Sequence, residues 1–173
     1  MKNKSKYLAL IVLSIVSYSV TFAQRIVLSP EQKGKFISRH NDWRKQFGTP
    51  NVTWSDSLAA YAQVWVDSLY KDSCDYRHRD EGLYGENIWA SSSKKVDVIE
   101  IVDTWAEEKN NYHGEALIGY NYQLFGHYTQ VVWENTTEIG CAVAICSNGV
   151  ICVCNYNPPG NMSGESPKRK SAK

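Results

Sequence analysis

An α+β sandwich, with helices packed on a small sheet, is the fold this sequence predicts, and three observations carry the prediction. Apolar residues recur at helical spacing through the first two thirds of the chain, β-branched and aromatic runs fill the last third, and an Asn-Gly pair joins two of those runs. Helices first and antiparallel strands last is the order of an α+β domain rather than of alternating βαβ units.

The first helix is expected over Glu31 to Phe47, where Phe36, Ile37, His40, Trp43 and Phe47 form one stripe. Ser29-Pro30 supplies an N-cap with proline at the first helical position, and Gly48-Thr49-Pro50 stops the helix. His40 and Arg44, beside Trp43, read as residues that brace a core. A second helix should start at Ser55 and present Leu58, Tyr61, Ala62, Trp65 and Leu69 along one face. A polar stretch from Lys71 to Ser93 follows, then a third helix over about Lys95 to Asn111 with Val98, Ile101, Val102, Trp105 and Tyr112 facing inward. Tyr128 to Trp133, Gly140 to Cys146 and Val150 to Tyr156 read as strands, the last two joined by a hairpin at Ser147-Asn148-Gly149. No internal repeat is visible.

Residues 1–23 have the form of an export signal. Lys2, Lys4 and Lys6 precede an apolar run from Leu8 to about Val16, and Thr21-Phe22-Ala23 suits a signal peptidase, so the mature chain is expected to begin at Gln24. The run is short for a membrane span and no second one follows, so no transmembrane segment is expected. Taking the three leader lysines from the 19 basic residues leaves 16 against 18 acidic ones, a balance that calls for neither nucleic acid nor an anionic membrane. Residues 24–34 are assigned to an N-terminal segment, 35–160 to one domain, and 161–173 to a flexible basic tail.

All five cysteines lie beyond the leader, where an oxidising compartment lets them pair, and an odd number leaves one over. Four residues separate Cys141 from Cys146 and one separates Cys152 from Cys154, which fits no common zinc spacing. Asn51, Asn135 and Asn161 each open an Asn-x-Ser/Thr acceptor for glycosylation.

Glu108 departs from the pattern that Glu107 obeys. Ile101, Trp105, Glu108 and Tyr112 share one helical line, and a carboxylate on an apolar stripe must be paired, protonated or at a pocket edge. Two further segments place polar side chains beside tight backbone, Gly85-Glu86-Asn87 and Gly126-His127-Tyr128-Thr129-Gln130. In Cys74-Asp75-Tyr76-Arg77-His78, a histidine follows a cysteine by four positions.

Taken in order, these motifs resemble the superfamily of cysteine-rich secretory proteins, antigen 5 and pathogenesis-related protein 1, the CAP proteins. Of its branches, the pathogenesis-related 1 type is the most similar. The likeness runs from about Ser38 to Ser166. It includes His40-Asn41-x-x-Arg44, Thr53 through Ala59, Cys74-x-x-x-His78, Gly85-Glu86-Asn87-Ile88, Trp105-x-x-Glu108, Gly126 through Trp133, Ile139-Gly140-Cys141 and Cys154-Asn155-Tyr156-x-Pro158-x-Gly160-Asn161. The resemblance implies a three-layer α-β-α sandwich, an antiparallel sheet flanked by helices. It also implies a central cleft lined by His78, Glu86, Glu108 and His127, so it picks the same glutamate as the helical stripe. Imidazole and carboxylate together suit a divalent cation such as zinc, although the four groups could instead hydrogen-bond one another.

The resemblance further implies disulfides Cys74–Cys146 and Cys141–Cys154. Cys152 is then left as a buried thiol on the same strand face as Cys154, with pairing to Cys141 as the other arrangement. The plant members' third bridge has no counterpart here, because Leu124-Phe125-Gly126 stands where its cysteine would be, and a freer loop is expected. The likeness points to a secreted, monomeric protein that binds a sterol or other lipid, or a metal, with a defence role toward an extracellular protein or cell surface. No nucleophile is marked out beside the histidines, so a metal-dependent hydrolase is the alternative. A second alternative is a precursor that releases a signalling peptide starting at Pro158.

Overall fold

The computed structural model describes residues 24–71, 74–80 and 82–168. The expected leader, residues 1–23, and the last basic residues of the tail lie outside them. Strand β1 (Gln24–Ile26) leads into α1 (Pro30–Phe47), β2 (Thr53–Trp54), α2 (Asp56–Lys71), β3 (Gly85–Ser91), α3 (Val98–Glu107), α4 (Tyr122–Val131), β4 (Glu138–Cys146) and β5 (Gly149–Asn157). Short 3₁₀ turns at Glu108–Asn111 and Gly119–Asn121 link α3 to α4.

The ends of α1 form as the sequence demands. The Ser29 side chain accepts from the backbone N–H of Gln32 while the Gln32 side chain accepts from that of Ser29, and Gly48 closes the helix in the left-handed conformation at φ 86°.

The sheet runs β1-β4-β5-β3, with its neighbours antiparallel and β2 added parallel to β4. Both faces of the β4–β5 hairpin are covered. Ala142, Ala144 and Cys146 with Ile151 and Val153 pack on Ala62, Val66 and Leu69 of α2, while Cys141 and Val143 with Val150, Cys152, Cys154 and Tyr156 pack toward α1 and α3. Alternate residues thus enter two cores, and the sheet is the middle layer of an α-β-α sandwich. Close approach of α2 to β4 requires Gly140, since a Cβ there would stand 2.2 Å from the backbone nitrogen of Ala59.

Two expectations are corrected. Tyr128 to Trp133 is not a strand: most of it forms the end of α4, because a short apolar run buried on several sides carries no period that separates helix from strand. The polar stretch from Lys71 to Ser93 contains a further strand. Gly85–Ser91 inserts Ile88 and Trp89 into the two cores and makes β3 the sheet's far edge. The third helix starts later than expected, at Val98, because Asp97 caps it through the N–H groups of Ile99 and Glu100.

Cysteines 74 and 146 are joined, as are 141 and 154, the latter directly opposite in the β4–β5 register. Cys152 is a free buried thiol, and its burial pushes its pKa up, away from reactivity. The described part of the expected tail is held to the body. The Glu165 carbonyl accepts from Leu117 N–H, the Pro167 carbonyl from Glu134 N–H, and Lys168 Nζ donates to the Gly48 carbonyl. These bonds attach residues 165–168 to the domain. No helix among the described residues is long and apolar enough to cross a membrane.

Candidate functional site

The four cleft residues converge as two histidine–carboxylate pairs. At the end of α3 the chain tightens into a 3₁₀ turn and turns the side chain of Glu108 inward, while Glu107 stays exposed. Facing it, α4 is interrupted at Phe125, whose φ of −152° breaks the helical ladder and frees backbone N–H groups downstream. Glu108 caps that break from outside the helix. Its Oε2 accepts from the N–H of His127 at 2.8 Å and of Tyr128 at 3.2 Å, and its Oε1 holds His127 Nδ1 at 2.6 Å. The His127 ring is stacked near Trp105, at a 15° interplanar angle.

The second pair sits across the cleft. Glu86, near the start of β3, holds His78 Nδ1 at 2.8 Å and also accepts from Arg79 N–H. The two pairs differ in exposure: the His78 side chain is 56% exposed against 28% for His127. Between them lies a cleft of about 520 Å³, lined by His78, Glu86 and His127 with Tyr76, Asn87, Tyr122, Gln123 and Asn161; Glu108 stands behind His127 rather than in the wall as expected. Burial, and secondarily the negative charge of Glu108, push the Tyr76 hydroxyl's pKa up, and that hydroxyl donates to the Ile88 carbonyl.

The cleft is continuous with the core. Asn87 donates through Nδ2 to the His127 carbonyl and to the Tyr156 hydroxyl, which meets His40 Nε2 at 3.0 Å. Gln130 fills the gap between Gly85 and Gly160. A Cβ at Gly85 would come within 2.2 Å of its Oε1, which accepts from Gly160 N–H. The motifs Gly85-Glu86-Asn87 and Gly126 through Gln130, separate in sequence, are thus one unit in space.

Of the three glycosylation acceptors, Asn161 is tied to α4, its Nδ2 donating to the Gly126 carbonyl and its Oδ1 accepting from the Thr129 hydroxyl. Asn51 and Asn135 are exposed. Tyr76, Tyr122 and Gln123 carry no signal in the sequence, since an aromatic or amide at a cleft wall looks like any other until the loops are folded.

Among the described residues no three His, Cys, Asp or Glu side chains form a ready ligand group. The chemistry of the pairs nevertheless fits a metal. Each Nδ1 is fixed on a carboxylate, which leaves Nε2 of His78 and of His127 as the donors, with the glutamates orienting them from behind.

Replacing Glu108 by alanine is expected to cost about 2 kcal/mol of metal-free stability, because two helix N–H groups lose their acceptor. Glu86→Ala should cost less, about 1 kcal/mol, since His78 is exposed and only one backbone N–H, that of Arg79, loses its acceptor. Urea unfolding of the two variants checks the difference.

The sequence profile of the Cysteine-rich secretory protein family matches residues 37–156. Pathogenesis-related protein 1A of Nicotiana tabacum is 41% identical over 133 residues, covering 76% of this chain and 78% of its own. Pathogenesis-related protein PR-1 of Medicago truncatula is 37% identical over 165 residues, 92% of each. Among solved structures, NaASP2 with Zn2+ is similar at a TM-score of 0.74 and 26% identity, over 83% of this chain and 88% of that one.

Proposed function

This chain belongs to the Cysteine-rich secretory protein family, and from that premise we propose that it is an exported, defence-related binding protein whose His/Glu cleft takes a divalent metal ion such as zinc. The observation that carries this reading is the paired arrangement, two imidazoles in one cleft with each Nδ1 held by its own carboxylate. Such pairing fixes ring orientation and tautomer and raises the basicity of the remaining nitrogen. The names of the tobacco and Medicago relatives support the defence role, and the Zn2+ in the NaASP2 structure supports the metal. A bound ion would supply a positive centre for anionic or carbonyl ligands.

A second reading, capture of a sterol or other lipid, draws on Tyr120, Leu124 and Met162. These exposed apolar side chains flank the cleft residues Tyr122, Gln123 and Asn161 along the chain. The hydrolase alternative gains no support. Release of a peptide from Pro158 would remove Asn161 from the cleft wall and break the Gly160–Gln130 bond, so it has less in its favour.

Zinc titrated calorimetrically into the wild type should bind one ion per chain with micromolar or tighter affinity. Folded His78→Ala and His127→Ala chains should both lose it. A folded wild type that takes up no zinc overturns the metal reading and directs attention to sterol binding.

A further inference from the structure

We infer that Arg79 is a positioning residue for His78, anchoring on the aromatic side chains of α2 the segment that carries this half of the cleft. The inference rests on the metal reading only for its affinity readout. Residues 75–79 belong to no helix or strand, so no backbone ladder fixes where His78 stands. Side chains supply the anchorage. In an extended segment alternate side chains point to opposite sides, and here Arg77 and Arg79 turn toward α2 while His78 turns to Glu86.

The Arg79 guanidinium lies 3.9 Å from the Tyr61 ring centroid and 5.2 Å from that of Trp65, and that of Arg77 lies 5.5 Å from the Trp65 ring. Trp65 Nε1 donates to the Arg77 carbonyl, and Arg79 donates through Nη2 to the Tyr61 carbonyl. The far end of the same loop returns to Tyr61. Its hydroxyl accepts from Leu83 N–H, and its ring meets Tyr84 edge-on at 4.9 Å.

Arg79 also acts through its backbone, because its N–H donates to the same Glu86 oxygen that holds His78 Nδ1. One carboxylate oxygen therefore registers the histidine against the arginine beside it. Among the described residues no carboxylate pairs with the Arg79 guanidinium, and its buried Nε has no hydrogen-bond partner. Among the described residues, aromatic faces and the Tyr61 carbonyl hold this charge. A cation over a tyrosine or tryptophan face is attracted by the ring quadrupole, the more so when partly desolvated. The stripe Tyr61 and Trp65 thus does two things: it packs α2, and it mounts the loop that bears His78.

The test compares wild type with Arg79→Ala, Arg79→Lys and Tyr61→Leu, each checked for cooperative melting. It reads the His78 and His127 ring proton resonances by NMR without metal, and zinc affinity by calorimetry. Arg79→Ala and Tyr61→Leu should shift or broaden the His78 resonance, leave that of His127 in place, and weaken zinc binding about tenfold, the low end of the range for outer-shell partners. Arg79→Lys, which keeps a cation for the Tyr61 face, should restore most of both signals. His78 resonances that match wild type in both Arg79→Ala and Tyr61→Leu overturn the inference. So does equal disturbance of His78 and His127, which would mark a general loss of structure. If wild type binds no zinc but the His78 resonance alone moves in these variants, the positioning role stands and the metal reading falls.

Discussion

Arg44→Ala is expected to lower stability by about 3–5 kcal/mol, the cost of removing one side of a buried charged network. Arg44 is completely buried near the C-terminal end of α1 and has no carboxylate partner among its contacts. Its guanidinium donates instead to four carbonyls. Nε reaches Pro50 at 2.5 Å, Nη1 reaches Val131 at 3.1 Å and Trp133 at 2.8 Å, and Nη2 reaches Thr136 at 2.9 Å. These acceptors belong to the turn after α1 and to the chain leaving α4, so one side chain ties two segments that no strand pairing joins. Burial pushes the Arg44 pKa down to about 10, which still leaves it charged at neutral pH. Alanine would leave a cavity and four carbonyls without this donor. Arg44→Lys should recover little, because a compact ammonium has three donors and cannot match the planar fork. Urea unfolding measures the effect; a loss below about 1 kcal/mol would contradict the network.

Acidification should cost about 3 kcal/mol through His40, one turn earlier on the same helix. Its Nδ1 lies 2.8 Å from the Phe36 carbonyl and its Nε2 faces the Tyr156 hydroxyl, an arrangement served by the neutral ring with Nδ1–H donating and Nε2 accepting. Burial first, and the nearby Arg44 charge second, lower its pKa to about 4 from an ordinary 6.5. The unfolded chain therefore binds a proton between pH 6.5 and 4 that the folded chain refuses. This contribution is complete above pH 6.5 and is lost as pH falls through 4, at about 1.4 kcal/mol for each pH unit between the two values. NMR titration of the His40 ring, alongside unfolding across that range, measures it. A ring that titrates near its ordinary value would contradict the buried neutral state.

Both residues are legible as core braces because they share the α1 stripe with Phe36 and Trp43. Other parts of the fold are legible where local chemistry and tertiary demand agree: the Ser29 N-cap, the α2 stripe and the hairpin at Ser147-Asn148-Gly149. Legibility fails where burial on several sides erases the period. Tyr128 through Trp133 reads as a strand by β-branched and aromatic content, yet its residues to Val131 pack as the end of α4 against α1 and α3. In β3 the polar Glu86 and Asn87 hide a strand whose apolar part is short. At the site, the spacing of Trp105 and Glu108 alone separates Glu108 from Glu107. The other three cleft residues rest on family likeness, because His78, Glu86 and His127 lie on segments that only the folded loops bring together. Arg79 has no signal, since its role depends on Tyr61 and Trp65 eighteen and fourteen positions away.

A crystal soaked in zinc and measured at the zinc absorption edge tests the central claim most directly. An anomalous peak in the cleft, in contact with the imidazoles of both His78 and His127, is the predicted result. A cleft with both rings ordered and no peak, or zinc confined to surface carboxylates, would contradict it.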